Sequence, residues 1–228
     1  MRVAILQSSY IPWKGYFDLI HSVDEFVLYD DAQFTRRDWR NRNRIKTPNG
    51  PAWLTIPVNS KGQYFEPIKH ITVSDESWGL QHWRTLVANY ARAPHFKRYA
   101  ETFERLYLEC RDTRLSAINH TWLTAVCGLL GITTRISWSM DYEMLEGKTE
   151  RLVGICQQAG ATSYLSGPAA RAYIDDDQFR AANVELRYFD YSGYPEYPQL
   201  HPPFDHYVSI LDLLFTVGPD APRYMLSF

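Results

Sequence analysis

Residues 33–46, QFTRRDWRNRNRIK, place six positive side chains within eleven positions: Arg36, Arg37, Arg40, Arg42, Arg44 and Lys46. The whole chain carries a net charge of -2. So dense a local field in a nearly neutral chain has four competing explanations. It binds nucleic acid, binds a phosphorylated small molecule, pairs with the protein's own carboxylates, or is a solvated face. Nucleic-acid binders usually show a wider basic footprint or a pI above about 9. Here the pI is 6.4 and no second basic cluster occurs. Arginine outnumbers lysine in the stretch, and its planar fork suits bidentate recognition of phosphate or carboxylate. Trp39, Asn41 and Asn43 are interleaved, offering a stacking face and neutral hydrogen bonds. The mixture favours a nucleotide-linked or phosphorylated ligand over a bare polyanion, with Arg42, Arg44 and Lys46 as phosphate partners.

Two further loops carry candidate binding groups. The first, QSSYIPWKGY, contains Gln7, Tyr10, Trp13, Gly15 and Tyr16. Gln7 follows the first apolar run, where a parallel strand would end and ligands of open α/β sheets bind. Gly15 would let an anion approach the next helix N-terminus. The alternative is a packed turn that covers the core. The second, YLSGPAARAY, holds Tyr164, Ser166, Gly167 and Tyr173. Its backbone N–H groups and the Ser166 hydroxyl suit an anion, although an ordinary strand-to-helix turn explains the same residues. The second strand ends at Asp30 and Asp31, which should point to opposite sides of an extended chain. One of them is a candidate general base, or both pair with the following arginines. His82, His95, His201 and His206 lack paired metal spacing and read as satisfied surface or core histidines. Cys110, Cys127 and Cys156 form no CxxC pair and read as buried thiols. No metal site is expected.

The elements that must position these groups alternate. Apolar residues 2–6 form a buried strand, a helix starts near Gly15, and residues 26–29 form a second strand, together the size of one parallel crossover. Residues 52–58 and 69–73 read as strands. From 80 to about 130 the apolar spacing becomes three-and-four, with Trp83, Leu86, Val87 and Tyr90 on one face and a stop at Gly131. Alternation then resumes: a strand in TTRISWS, a helix over 149–158, a strand in TSYLS, a short helix over 176–182, and a strand in VELRYFDY. A Pro-rich segment, YPEYPQL, contains Gln199, and FDHYVSILDLLFTVG reads as a closing helix. The expectation is one α/β domain over residues 1–228, with a mainly parallel sheet and a helical insertion over 78–131. No signal peptide and no apolar run of about 18 residues is found, so a cytoplasmic protein without a membrane segment is expected. The 16 Tyr, 11 Phe and 7 Trp suit sugar rings and nucleobases, or simply an aromatic-rich core.

Taken in order, QSSYIPWKGYFD, DDAQF, WRNRNRIK followed by NG, YLSGP, YPQL and SILDLLFTVG resemble the WbqC-like family over nearly the whole chain. Ser8 stands where the family usually has Pro. The resemblance implies a role in bacterial surface-polysaccharide (O-antigen) or unusual amino-sugar biosynthesis. It directs attention to Asp30, Asp31 and Gln33 of DDAQF as catalytic candidates, and to Gln199 of YPQL as a substrate contact. A more distant likeness of residues 12–34 to pantothenate synthetases and related nucleotidylyltransferases implies a Rossmann-like sheet. Here Gly15-Tyr16 replaces their Gly-His pair, so the cationic phosphate partner is missing at that position. The expected activity is acyl or aminoacyl transfer onto the amine of a nucleotide-linked amino sugar. An ATP-using amide ligase and a noncatalytic binding partner in polysaccharide assembly are the alternatives. ATP or an acyl or aminoacyl donor is the co-reactant in the first two.

Overall fold

A computed structural model describes residues 1–62 and 65–228. Strand β1 (Arg2–Leu6) leads through helix α1 (Lys14–His21) into β2 (Glu25–Leu28), which pairs parallel to β1 with Val3 opposite Glu25. An antiparallel hairpin, β3 (Arg42–Thr47) and β4 (Gly50–Thr55), forms a separate two-stranded sheet. Three helices follow: α2 (Trp78–Tyr90), α3 (Phe96–Leu108) and α4 (Leu115–Leu130). The chain then returns to the main sheet with β5 (Arg135–Trp138), α5 (Lys148–Ala159), β6 (Ser163–Ser166), α6 (Asp176–Ala181) and β7 (Glu185–Tyr188). It closes with α7 (Ile210–Val217). The main sheet is wholly parallel, in the order β5-β2-β1-β6-β7.

Period-two alternation explains why both faces of this sheet are covered. On β1, Val3 and Ile5 join a small core with residues of α5 and α6, while Ala4 joins a larger core with α1, α2, α3, α4 and α7. On β2, Val27 faces the small core, and Phe26 and Leu28 face the large one. Helices on both faces of a parallel sheet define a Rossmann-like α/β architecture. The chain moves outward from β1 through β2 to β5, then crosses back to β6 and β7. The direction therefore reverses between β1 and β6, and the carboxyl ends of those two strands flank the crevice where such sheets bind ligands. Among the described residues, no helix is long and apolar enough to cross a membrane.

Several boundaries differ from expectation for physical reasons. Residues 69–73 are not a strand: Ile68–His70 form one 3₁₀ turn, followed by single bridges from Thr72 to Arg114 and from Val73 to Val58. The closing helix begins only at Ile210, where the Ser209 hydroxyl accepts the N–H of Leu211 as its cap. The arginine-rich run ends in a regular strand, β3. Its buried positions are Asn43, Ile45 and Lys46, two of them polar and two of them adjacent, so no apolar alternation shows in the sequence.

The large core contains a polar chain. The Tyr107 and Tyr10 hydroxyls lie 2.8 Å apart, and the Tyr10 hydroxyl is 2.9 Å from His82 Nδ1. His82 Nε2 is 3.1 Å from the Thr55 carbonyl. A carbonyl only accepts, so Nε2 carries the proton and Nδ1 accepts from Tyr10. Burial lowers the His82 pKa to about 4, against a weaker opposing effect of the Thr55 bond. The folded imidazole thus holds its proton less tightly than the unfolded one. Its contribution to stability is complete above pH 6.5 and is lost as pH falls toward 4. Urea unfolding should show a loss on the order of 2 kcal/mol from this group between pH 7 and pH 5. Asp30 and Asp212, whose pKa values burial raises, act in the opposite sense, so the comparison is with His82→Asn. A slope unchanged by that substitution would remove His82 as the acid-sensitive group.

Candidate functional site

Two cavities lie beside the carboxyl end of β1, and both are lined by Leu6 and Gln7. The first, of about 370 Å³, is walled by Pro12, Trp13, Tyr16, Trp39, Tyr191 and Tyr207, with Ser9, Arg40 and Asn43 as its polar groups. The second, of about 270 Å³, occupies the reversal point between β1 and β6. It is lined by Ile5, Tyr29, Ala32, Leu152, Tyr164, Ser166, Gly167, Ala169, Ala170 and Tyr173, with Lys148 and Arg151 at the first turn of α5. We refer to these as the aromatic lobe and the switch-point lobe.

The first loop is built to hold this shape. Beyond Gln7, the Ser8 N–H donates to the buried Asp30 carboxylate at 2.9 Å, and the Ser8 Oγ accepts from Asn119 at 2.9 Å. The Tyr10 N–H donates to the Trp39 carbonyl at 3.1 Å. Asn43 Nδ2 reaches the carbonyls of both Tyr10 and Ile11, at 3.1 and 3.0 Å. Ile11 is fully buried with φ of 38°, in the left-handed region that a β-branched residue seldom enters. Trp13 lies against Tyr191 and Tyr194, with centroids 5.5 and 5.2 Å away. The Tyr16 hydroxyl donates to the Gln7 carbonyl at 2.9 Å. Burial pushes the Tyr16 phenol well above its ordinary pKa, with the Arg40 charge acting the other way.

Several expected residues come together here: Gln7, Trp13, Tyr16, Trp39 and Asn43 in the aromatic lobe, and Gln7, Tyr164, Ser166, Gly167 and Tyr173 in the switch-point lobe. Ser166 Oγ is 3.3 Å from the Tyr164 hydroxyl. Gly167 has ordinary backbone angles and open space where a Cβ would stand, so this turn does not require glycine. Gly15 is needed, but for packing rather than for a ligand. A Cβ there would fall inside the Trp13 indole, which covers the start of α1 and leaves no opening for an anion.

The remaining candidates lie elsewhere. Tyr10 is fully buried in the chain with His82 and Tyr107. Asp30 and Asp31 do point apart, but neither lines a lobe. Asp30 accepts from Ser8 and Ser116, and burial raises its pKa against those bonds. Asp31 pairs with Lys69, not with an arginine of the basic run, and accepts from Ser139 Oγ at 2.7 Å. Gln33 sits on an exposed turn whose backbone bridges to Pro67. Asn41 donates to the Ile56 carbonyl at 2.8 Å. Gln199 clamps Asp205, donating to its carbonyl and accepting its N–H, both at 2.8 Å.

The basic run does not form one electropositive cup. Strand alternation turns Arg42 and Arg44 to the outside of β3. Arg42 stacks on Trp53 with its guanidinium 4.0 Å from the ring centroid and donates to the Arg37 carbonyl. Arg44 pairs with Asp205 at 3.4 Å. Lys46 is buried and donates to the Pro203 carbonyl. Arg36 donates to the Ser60 carbonyl, and Arg37 is exposed. Arg40 is the member of the run that lines the cleft.

The sequence reading missed Tyr29, Arg40, Lys148, Arg151, Tyr191 and Tyr207. Signals existed for four of them. Tyr29 and Tyr191 lie just past the carboxyl ends of β2 and β7, and Lys148 and Arg151 open a helix that starts at the same sheet edge. Tyr207 follows an irregular, Pro-rich segment that gives no such signal. Among the described residues, no group of three or more His, Cys, Asp or Glu side chains is placed to hold a metal ion.

The profile of the WbqC-like protein family matches residues 7–224. "Uncharacterized protein Rv1507c" of Mycobacterium tuberculosis is 52% identical over 224 residues, covering 98% of this chain and 97% of that protein. No solved structure matches. The matched span runs from Gln7, which both lobes share, to a point beyond α7, and the chain belongs to the WbqC-like family.

Proposed function

We propose that the protein is an enzyme of surface-polysaccharide or unusual amino-sugar biosynthesis. It binds a nucleotide-linked amino sugar along the cleft and transfers an acyl or aminoacyl group to the sugar amine. One observation carries this reading: an aromatic-walled cavity and a hydroxyl- and cation-lined cavity share Gln7 at the sheet's reversal point. Flat aromatic faces suit a base or a sugar ring. The hydroxyls of Tyr29, Tyr173 and Ser166, with Lys148 and Arg151, suit sugar hydroxyls and phosphate oxygens. The family name is compatible with a polysaccharide role.

In the transfer, the sugar amine attacks the carbonyl of an activated acyl donor such as a thioester. The new C–N bond forms, the C–S bond breaks, and the amine proton leaves with the departing thiol. Among the described residues, no carboxylate or histidine lines either lobe. The cleft would therefore contribute chiefly by holding amine and carbonyl together.

The test is a panel of nucleotide-linked amino sugars, each with acetyl-CoA or with ATP and glycine, read by melting temperature and product mass. Ligand at about 100 times Kd should stabilise the protein by about 2.7 kcal/mol, and the product should gain one acyl group. Pyrophosphate release would move the reaction to an amide ligase. Binding without turnover would make the protein a noncatalytic partner. A panel in which no nucleotide sugar binds would overturn the reading.

A further inference from the structure

Resting on that reading, we infer that Arg40 is the residue that grips the ligand's phosphates, which places the nucleotide base in the aromatic lobe and the sugar in the switch-point lobe. Arg40 lines the aromatic lobe, and its Nη1 donates to the carbonyl of Gln7 at 3.0 Å, which fixes the guanidinium beside the residue that both lobes share. Its side chain is 11% exposed, and its Nε has no hydrogen-bond partner. The Asp38 carboxylate is near Nε, at 3.8 Å, but too far for a hydrogen bond. Among the described residues, the Asp38 ion pair and the Gln7 bond thus leave the buried Nε–H of this guanidinium without an acceptor. A phosphate beside Gln7 would supply one through the planar fork.

The lobe walls set the direction. On the Arg40 side they are mainly flat rings, Trp13, Trp39 and Tyr191 among them, which stack on a nucleobase without regard to its edge pattern. On the other side they present hydroxyls and the α5 cations, which match a polyhydroxylated ring. Arg151 Nε is already committed to the Leu145 carbonyl at 3.0 Å, and Lys148 is exposed. Those two cations line the switch-point lobe and not the aromatic lobe that holds Arg40.

The experiment measures the affinities of UDP, GDP, CDP and dTDP, and of the matching nucleosides, for the wild type, Arg40→Gln, Arg40→Lys and the double variant Lys148→Ala/Arg151→Ala. At least one diphosphate should bind the wild type at least tenfold more tightly than its nucleoside. Arg40→Gln should lose about 30-fold toward that diphosphate and little toward the nucleoside. Arg40→Lys keeps the charge but not the fork. It guards against a folding failure of the glutamine variant, and it should lose about tenfold. The double variant removes cations of the switch-point lobe and should lose less affinity for the diphosphate than Arg40→Gln does. Arginine variants that bind the diphosphate within threefold of the wild type would overturn the assignment, as would a loss that follows Lys148 and Arg151 instead. A protein that binds a nucleotide sugar but none of the diphosphates would also overturn it, leaving the proposed function intact. Failure of every nucleotide and nucleotide sugar would remove both.

Discussion

Replacing Asp30 by alanine is expected to lower the unfolding free energy by about 3 kcal/mol, because it strands two buried donors at once. The Ser8 N–H and the Ser116 hydroxyl both end on this carboxylate, and Asp30 has no exposed surface. Asp30→Asn should cost only about 1 kcal/mol, since an amide oxygen still accepts from Ser8 and its N–H₂ still meets Ser116. Urea unfolding of the two variants gives the comparison. A general base would behave in the opposite way: the asparagine variant would fold like the wild type and lose turnover. The pH dependence separates these further. Burial raises the Asp30 pKa, so its folded carboxyl holds a proton more strongly than the unfolded one. Its contribution is largest below the ordinary carboxylate range and falls as pH rises through the folded pKa. Asp30→Asn should lack that change.

Lys46→Ala should cost a further about 3 kcal/mol in its own right. Lys46 is 1% exposed, and its charge favours the ionised form of Asp212, whose pKa burial raises. The Asp212 carboxylate also accepts from Tyr90 at 2.7 Å and Tyr197 at 2.9 Å. These bonds tie α2, α7 and the Pro-rich segment together near β3. Alanine removes the cation and opens a cavity, whereas Lys46→Met fills the volume and should cost about 1 kcal/mol. Diphosphate affinity of the folded methionine variant should match the wild type. A large loss of affinity there would return Lys46 to the phosphate site.

The sheet was legible because β1 and β2 are short, mainly apolar runs and because glycine stops α4 and α5 just before β5 and β6. Gly131 and Gly160 both sit at helix ends in the left-handed conformation, with φ of 74° and 71°. That Gln7 follows the end of β1 was also legible, whereas the strand order, with its reversal between β1 and β6, came only from the fold. What sequence could not divide was the basic run. Six cations lie close together along the chain, yet three precede β3, and the three on one face of it meet different partners: Trp53, Asp205 and the Pro203 carbonyl. Arg40 falls just before the strand and escapes its alternation. Arg44 and Lys46 meet partners at Asp205 and Pro203, more than 150 residues away. Asp30 and Asp31 show the same limit: β2 ends at Leu28 and both lie in the turn that follows, and their partners come from α4, the 3₁₀ turn at Lys69 and the segment after β5.

The left-handed Ile11 has a consequence for how the cleft is assembled. Backbone held in that region costs about 1–3 kcal/mol, and the hydrogen bonds to the carbonyls on either side of it come from outside the first loop. The Asn43 amide, 32 residues later, spans the Tyr10 and Ile11 carbonyls. The aromatic lobe therefore reaches its final form only after the hairpin docks, and an excised peptide of residues 1–24 would not retain it.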